Sequence, residues 1–466
     1  MASLSRQLAR WIVGLRYEDL PPEVVDRAKG VTLHALASIL IGSQAAPGRN
    51  AVKLIKDEET GVRNGATIMV DGGRATKGGA AFANSEMAFA GGKWDTFRML
   101  THPGTSIIPG ALAAAETAEA SGRDYLVAVA AAYEVMERLA ADFIPTVMAR
   151  GFHASPVFGI FGPAVAAAKL FRFTEDQVNS TIALCASLAA GNLEGARSGG
   201  RALREGAAVR NAMLAVALAQ QGHVGGETVL EGDAGFYHAY AGNNKGDLTY
   251  SFVGATHASL DSITANLGKD WIFLETLYRI YSTAGYNIAH LDVTAQLCTE
   301  HDIRHENIER IEAVVNWLET QYPSPLFTSR REDLNRKPGS TAYHLAYAAV
   351  RREFPILRGW GEDPNRADDP PEVLALIQRV TLIPSHTMTL FGPRITIYTK
   401  DGKSYTRQST GREFIWDFEE EARRIRGVEP ALPIPAAQFG DMISACRALE
   451  QQPRADKLVQ LTLKRE

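Results

Sequence analysis

Apolar residues recur with a helical period through most of residues 1–268. In segments such as PPEVVDRAKGVTLHALASILIGS and DYLVAVAAAYEVMERLAADF, apolar positions lie three or four residues apart, and glycine and proline separate one segment from the next. Alanine is frequent in these segments, and its high helix propensity and small side chain favour closely packed helices. We therefore predict an alanine-rich helical bundle over this part of the chain.

The pattern changes after residue 268. The segments RIEAVVNWLE, QRVTLIPS and PRITIYTKDGKSYTR contain alternating or continuous β-forming residues, and Asp401-Gly402 is typical of a hairpin turn. Helical stretches such as STAYHLAYAAVRREF lie between them, so we predict an α+β domain over residues 269–404. The tail, with FEEEARRIRG and FGDMISACRALEQQ, returns to helix, and we expect residues 405–466 to complete the helical domain.

Chain length, net charge and the positions of the cysteines indicate the number of domains, argue against a nucleic acid partner and indicate the state of the thiols. A chain of 466 residues exceeds the size at which a single hydrophobic core keeps growing, which agrees with two domains. The formal net charge of −4 offers no long-range attraction to polyanions, so we expect no nucleic acid partner. Cys185, Cys298 and Cys446 lie far apart without metal-binding spacing, and we interpret them as buried, reduced thiols.

The sequence contains none of the familiar motifs for targeting or for cofactor binding that we considered. The apolar stretch within MASLSRQLARWIVGLRYEDL is too short and too charged for a signal peptide or a membrane span, so we expect a cytoplasmic protein without a membrane partner. We find no GxxxxGK[ST], no HExxH and no GxSxG between a strand and a helix. The sequence therefore predicts neither a cofactor nor a metal.

A first candidate segment begins at Asp95-Thr96 and continues to Thr101-His102-Pro103-Gly104. We expect a helix to start near Pro109, because proline is favoured in the first turn. His102 would then lie close to a helix N-terminus, where free N–H groups and the helix dipole attract anions. Taken alone, the segment is more typical of a surface-loop histidine beside a proline turn.

Two further segments combine helix starts with polar side chains. In GFHASPVFGIFGPAVAAAKL, Ser155 is a predicted N-cap, Pro156 a predicted first helical residue, and His153 precedes both. In SGGRALREGAAVRN, Arg201 and Arg204 enter a predicted helix and could hold a carboxylate. Alone, the first segment also agrees with a buried structural turn and the second with a solvated helix face.

In their order along the chain, these segments resemble the MmgE/PrpD family, whose members include 2-methylcitrate dehydratase, cis-aconitate decarboxylase and iminodisuccinate epimerase. The resemblance runs through LPPEVVDRAKGVTLHALASILIGS, AFANSEMAFAGGKWDT, THPGTSIIPGALAAAE, GFHASPVFGIFGPAVAAAKLF and GAAVRNAMLAVALAQQG to PRITIYTKDGKSY. It implies a helical domain with an inserted, lid-like α+β domain, a homodimer, and small di- or tricarboxylate substrates bound between the domains without an organic cofactor.

Carried over residue by residue, the resemblance implies that Asp95, His102 and His153 are catalytic and that Thr96 binds substrate. At other family positions this sequence departs, with Phe89 and Ile288 in place of histidines, Gly92 and Trp94 in place of aspartates, and Arg201 in place of a lysine. Because a guanidinium stays protonated, Arg201 can clamp a carboxylate but cannot exchange a proton. Arg204, and Tyr286 and His290 of the α+β domain, complete the predicted substrate-binding set.

These residues favour lyase chemistry of the dehydratase type, in which a base removes the proton α to a carboxylate and an acid protonates the leaving group. An epimerase or isomerase needs the same proton removal but no leaving-group acid, and a decarboxylase would release carbon dioxide. The departures from the family pattern also agree with a third alternative, a catalytically degenerate relative that binds a carboxylate metabolite.

Overall fold

A computed structural model describes residues 2–59, 61–62, 64–194, 203–280, 284–321, 340–353 and 370–464. The chain is mainly helical and divides into two compact units. The first unit comprises Met1–Leu248, His257–Tyr278 and Trp416–Glu466, and the second comprises Thr249–Thr256 and Arg279–Ile415. The prediction of a mainly helical chain with a smaller α+β part is confirmed.

The helices follow one another along the chain as α1 (Leu4–Gly14), α2 (Pro22–Gly42), α3 (Ala46–Glu58), α4 (Lys77–Ala90), α5 (Gly104–Thr117), α6 (Gly122–Ala140), α7 (Ile144–Ala149), α8 (Ala154–Gly159), α9 (Phe161–Leu170), α10 (Glu175–Leu188), α11 (Leu203–Gln220), α12 (Phe236–Ala241), α13 (Asn287–Glu300), α14 (Thr341–Arg351), α15 (Pro371–Ile377), α16 (Phe418–Ile425), α17 (Ala436–Arg447) and α18 (Lys457–Gln460). The strands are β1 (Ala66–Thr67), β2 (Arg74–Ala75), β3 (Trp94–Thr96), β4 (Leu277–Arg279), β5 (Ile308–Asn316), β6 (Val380–Ser385), β7 (Arg394–Thr399) and β8 (Ser404–Gln408).

Helices packed on helices form the core of the first unit. From Gly30 onward, α2 is buried on every face, and α5 is buried along almost its whole length, so their apolar residues are not confined to one stripe. Small residues allow close approach, because a Cβ at Gly162 of α9 would overlap with Cγ1 of Ile107 in α5. Glycine at this position thus sets the distance between these two helices.

A buried contact between a histidine and a carboxyl group joins the tail of the chain to this core. Nδ1 of His34 in α2 lies 2.6 Å from Oε1 of Glu421 in α16, and both side chains are almost fully buried. The tail helices α16, α17 and α18 all belong to the first unit.

The second unit contains a four-stranded sheet in the order β6-β5-β7-β8. Strand β5 is parallel to β6 and antiparallel to β7. The predicted hairpin is confirmed, since β7 and β8 are antiparallel and Gly402 adopts a φ of 84° in the turn between them. Apolar side chains of the sheet and of α13, α14 and α15 share one core, including Ile311, Leu297, Leu345 and Leu376.

Two unit boundaries lie later in the sequence than the expected 268/269 and 404/405 positions, and residues 249–256, expected in the helical domain, belong to the second unit. Residues 269–278 stay with the first unit, because the N–H of Phe273 donates to Glu134 Oε2 at 3.0 Å and Thr276 Oγ1 donates to Glu137 Oε1 at 2.5 Å. The segment after residue 404 stays with the second unit, because β8 pairs with β7. The first difference results from long-range contacts that a local pattern does not reveal, whereas the second follows from the hairpin itself, which keeps β8 beside β7.

The structure also bears on membrane-spanning helices and on the three cysteines. In the part of the chain that the structure describes, no helix is both long enough and apolar enough to cross a bilayer. The interpretation of Cys185, Cys298 and Cys446 as buried free thiols is confirmed.

Candidate functional site

Asp95 anchors the loop that carries His102. Its carboxylate accepts the N–H of Gly104 at 2.9 and 3.0 Å, and the Tyr133 hydroxyl of α6 donates to Oδ2 at 2.5 Å. Because Asp95 takes up this N–H, helix α5 begins at Gly104, and Pro109 lies inside the helix. The prediction of a helix start near Pro109 was therefore wrong.

This arrangement also changes the electrostatics of the α5 N-terminus. Burial raises the pKa of Asp95 above its ordinary value, although the hydrogen bonds from Tyr133 and Gly104 act in the opposite direction. Burial and the neighbouring Asp95 hold the pKa of Tyr133 well above its usual range. Since the Gly104 N–H is bound to Asp95, the N-terminus of α5 does not offer a substrate anion the site that the sequence suggested.

The ring of His102 is held in one tautomer. Its Nδ1 lies 3.1 Å from the main-chain oxygen of Asp95, and because a carbonyl only accepts, Nδ1 must carry the proton. The lone pair of the neutral ring is then on Nε2. Thr96 Oγ1 lies 3.4 Å from the same Nδ1, and the ring packs against Trp94 at a centroid distance of 4.5 Å. This geometry suits His102 for accepting a proton at Nε2.

His153 is held in the opposite tautomer. It is the N-cap of α8, and its ring Nδ1 accepts the main-chain N–H of Ser155 at 3.2 Å. The main-chain N–H of His153 donates to Gly191 O at 3.0 Å. A neutral ring whose Nδ1 accepts carries its proton on Nε2. The helix thus begins at Ala154 with His153 as the cap, which corrects the prediction of Ser155 as the N-cap and Pro156 as the first helical residue.

Ser155 brings the two histidine segments together. The N–H of His102 donates to Ser155 Oγ at 3.4 Å, and the N–H of Ser155 donates to His153 Nδ1. His102 and His153 are 8% and 3% exposed, so the pair is largely shielded from bulk water. One buried site therefore combines a histidine that accepts at Nε2 with one that donates from Nε2, which is the requirement for proton transfer in both directions.

Sequence reasoning missed part of this site. Tyr133 was not singled out, because it occupies an ordinary apolar position of a helical pattern and meets Asp95 only through tertiary packing. Trp94 was noted as a departure from the family, but not as the ring that packs on His102. Ser155 was expected to be a helix cap, and that signal could have found it, although it did not predict the contact with His102.

The remaining predicted residues fall into two groups. Arg201 lies outside the described residues, and Arg204 lies in α11 but its side chain is outside the description. Tyr286 and His290 belong to the second unit, where Tyr286 is the N-cap of α13 and His290 is fully buried with Nδ1 2.8 Å from Tyr286 O. Substrate binding by these four residues stays a prediction.

Within the described ranges, no group of three or more His, Cys, Asp or Glu side chains could hold a metal ion.

Comparisons with known proteins agree with the pattern along the chain. The model of the MmgE/PrpD N-terminal domain matches residues 6–249. A cis-aconitate decarboxylase-like protein of Aspergillus oryzae, oryM, is 25% identical over 423 residues, which covers 86% of this chain and 85% of that protein. Cis-aconitate decarboxylase of Aspergillus terreus is 23% identical over 428 residues, covering 87% and 84%. The human cis-aconitate decarboxylase is 28% identical over 247 residues, covering 52% and 51%.

Proposed function

Because this chain belongs to the MmgE/PrpD family, we propose that it is a lyase acting on a small di- or tricarboxylate, with His102 and His153 as its proton-transferring residues. The observation that carries the proposal is the opposite tautomers of these two rings, joined through Ser155. A lyase that moves protons needs an acceptor and a donor in one enclosed site, and His102 Nε2 and His153 Nε2–H provide them.

Two lyase reactions make different demands on this pair. In dehydration, His102 removes the proton α to a carboxylate, and His153 protonates the departing hydroxyl, which leaves as water; the proton on His102 then returns to His153 through solvent. In decarboxylation, a carbon–carbon bond breaks, carbon dioxide leaves, and the electron pair stays on the organic fragment, to which His153 adds a proton that it regains from solvent. Both reactions require the donor on His153, whereas only dehydration requires the base on His102.

Decarboxylation is the first reaction to test, because the Aspergillus and human relatives are named cis-aconitate decarboxylases. Dehydration of a hydroxy acid is the second candidate, because the Nδ1–H bond to Asp95 O places the basic lone pair of His102 on Nε2. In either case, Arg201 and Arg204 are the proposed ligands of the substrate carboxylates, and Thr96 supports His102.

Asp95 has a different role in this proposal from the catalytic one suggested by the resemblance. Its carboxylate holds Gly104 and Tyr133, and its main-chain oxygen holds the His102 ring. We therefore infer that Asp95 is a positioning residue, which acts on the reaction through His102.

The test is incubation of the purified protein in deuterated water with cis-aconitate, with citrate and with a panel of dicarboxylates, followed by proton NMR and a carbon dioxide assay. Carbon dioxide and one new carbon–deuterium bond per turnover would support decarboxylation. A new alkene without carbon dioxide would support dehydration. His153→Asn should abolish either activity, whereas His102→Asn should impair dehydration more than decarboxylation.

Two other outcomes would contradict the proposal that this protein is a lyase. Deuterium at the α carbon with neither alkene nor carbon dioxide would indicate an epimerase. Thermal stabilisation by carboxylates without turnover of any of them would indicate a degenerate, carboxylate-binding relative. The homodimer and the cytoplasmic location implied at the sequence level stay predictions, and light scattering in solution would test the first of them.

A further inference from the structure

The second unit encloses a polar cluster that takes no part in the proton transfers of the proposed reaction. It consists of His290 on α13, Glu319 on the short 3-10 helix Trp317–Gln321, and His344 on α14, which are 0%, 4% and 2% exposed. Each leaves one buried atom without a hydrogen-bond partner among the described residues, namely His290 Nε2, Glu319 Oε2 and His344 Nδ1. Buried polar atoms rarely lack partners, so the cluster needs an explanation.

The contact between His290 and Glu319 requires a proton. His290 Nδ1 lies 2.8 Å from Tyr286 O, and since that carbonyl only accepts, Nδ1 is protonated and the neutral ring has its lone pair on Nε2. That Nε2 lies 3.4 Å from Oε2 of Glu319. A lone pair and a carboxylate oxygen repel each other at this distance unless a proton lies between them.

The surroundings decide which group holds the proton. Burial raises the pKa of Glu319 to about 8, although the Phe391 N–H, which donates to Oε1 at 3.0 Å, acts in the opposite direction. Burial lowers the pKa of His290 to about 4, and burial and His290 lower the pKa of His344 to about 3. Among the described residues, the titratable groups whose rings contact His290 and His344 are the phenols of Tyr286 and Tyr343. The carboxylic acid therefore holds the proton and both imidazoles are neutral.

We propose that Glu319 and His290 form a buried proton-binding site that makes the stability of the second unit sensitive to pH. With the proton in place, Glu319 Oε2–H donates to His290 Nε2 and the cluster is neutral. Loss of that proton leaves a buried carboxylate facing an imidazole lone pair, which destabilises the packing of α13, α14 and the 3-10 helix.

The direction of the effect follows from the two sets of pKa values. The contribution of Glu319, with its raised pKa, is full below about 4.5 and is lost as the pH rises to about 8. The histidines, with lowered pKa values, contribute in the opposite direction, and their contribution becomes full about one pH unit above 6.5. Between pH 6.5 and 8, the loss of the Glu319 proton outweighs the end of the histidine titration, and the unfolding equilibrium constant should rise about fourfold in all.

Glu319→Gln is the sharpest variant, because the amide mimics the protonated acid. Its oxygen can accept the Phe391 N–H and its NH₂ group can donate to His290 Nε2, without a titratable group. Glu309→Gln is the matched control, since it removes a carboxylate of the same unit whose side chain is 56% exposed. Both variants are studied in the full chain.

The readout is hydrogen exchange, by mass spectrometry, of peptides from α13 and α14 at pH 6.5 and 8, corrected for the intrinsic rate, with peptides from α2 as an internal reference. In the wild type and in Glu309→Gln, we expect protection of α13 and α14 to fall about fourfold across this interval. In Glu319→Gln, protection should not fall. Equal pH dependence in wild type and Glu319→Gln, or none in the wild type, would overturn the proposal.

A second measurement keeps the proposal testable if Glu319→Gln does not fold. Infrared difference spectra of the wild type should show the carbonyl stretch of a protonated carboxylic acid that disappears between pH 6.5 and 9. A nitrogen NMR signature of a doubly protonated His290 at pH 6.5 would instead place the proton on the ring, and would contradict the site as described.

Discussion

Nδ1 of His102 lies 3.1 Å from the main-chain oxygen of Asp95, and this contact determines which ring nitrogen can act as a base. The side chain of the same aspartate holds the first N–H of α5 and the Tyr133 hydroxyl. Asp95 thus orients the ring through its backbone and fixes its own loop through its carboxylate.

His153→Asn should separate the structural role of His153 from its chemical role. Asparagine is among the best N-cap residues, and its Oδ1 can accept the Ser155 N–H, so we expect the stability to change by less than about 1 kcal/mol. Turnover should fall about 10²- to 10⁴-fold, because asparagine cannot donate a proton as an acid. Urea unfolding measures the change in stability, and steady-state kinetics measure turnover on the carboxylate that the panel identifies as the substrate.

His238→Asn is the control for this variant, since His238 is an exposed histidine of α12 in the same unit. It should leave turnover and stability at the wild-type level. If His153→Asn keeps wild-type turnover, His153 is a structural cap only.

Gly104→Ala should disrupt the anchor beneath His102. A Cβ at this position would lie 2.7 Å from both Asp95 Oδ2 and the Tyr133 hydroxyl oxygen, so these two groups must separate. We expect a loss of about 1–3 kcal/mol in the free energy of unfolding, together with lower activity.

Gly78→Ala is the matched substitution, because it also lies in a helix and no atom comes closer than 3.8 Å to the added Cβ. Alanine there should be neutral or stabilise by up to about 1 kcal/mol. Thermal unfolding of the two variants measures the difference. A Gly104→Ala variant as stable as Gly78→Ala would show that the loop adjusts freely around Asp95.

Asp95→Asn should change how stability depends on pH. Burial raises the pKa of Asp95 above its value of 3.8 in the unfolded chain, so its contribution to stability is full at low pH and is lost as the pH rises. Asparagine can accept the Gly104 N–H and donate to the Tyr133 oxygen without ionising. The stability of Asp95→Asn relative to the wild type should therefore increase above pH 4, by at most about 1.4 kcal/mol per pH unit.

Chemical unfolding at a series of pH values tests this directly. A stability difference that stays constant with pH would mean that Asp95 has the same pKa in the folded and unfolded chain. The activity of Asp95→Asn is an independent readout, because the main-chain oxygen that holds His102 is unaffected by the substitution.

The fold was predictable where the signal is local. Helical periodicity identified α2 and α6, and the Asp401-Gly402 turn fixed the β7–β8 hairpin, because side-chain spacing and turn chemistry act over a few residues. The boundary near residue 268 was not predictable, since Phe273 and Thr276 are held by two glutamates of α6 that lie far away in sequence.

In the candidate site too, the local sequence predicted some features, and others depend on the folded chain. His102 and His153 could be singled out because each precedes a helix and because the segments follow a family order. Their tautomers could not, since these depend on the Asp95 main-chain oxygen and on the Ser155 N–H, whose positions are set by the folded backbone. Tyr133 meets Asp95 across two elements, and no feature of its own helix indicates that contact.

The buried pair of His34 and Glu421 gives a prediction about the tail of the chain. Its atoms lie 2.6 Å apart, and burial raises the pKa of Glu421 although His34 acts in the opposite direction. Removing one partner leaves the other buried without its charge-assisted bond, so we expect His34→Leu and Glu421→Met each to cost about 3–5 kcal/mol.

The double variant should cost clearly less than the sum of the two single variants, because neither polar group then remains unpaired. Urea unfolding of all four proteins completes the double-mutant cycle, and we expect a coupling of about 1–3 kcal/mol. Because Glu421 lies in α16 and His34 in α2, this coupling measures how strongly the returning tail is bound to the first unit. Additive effects would show that this pair contributes nothing to the attachment of the tail.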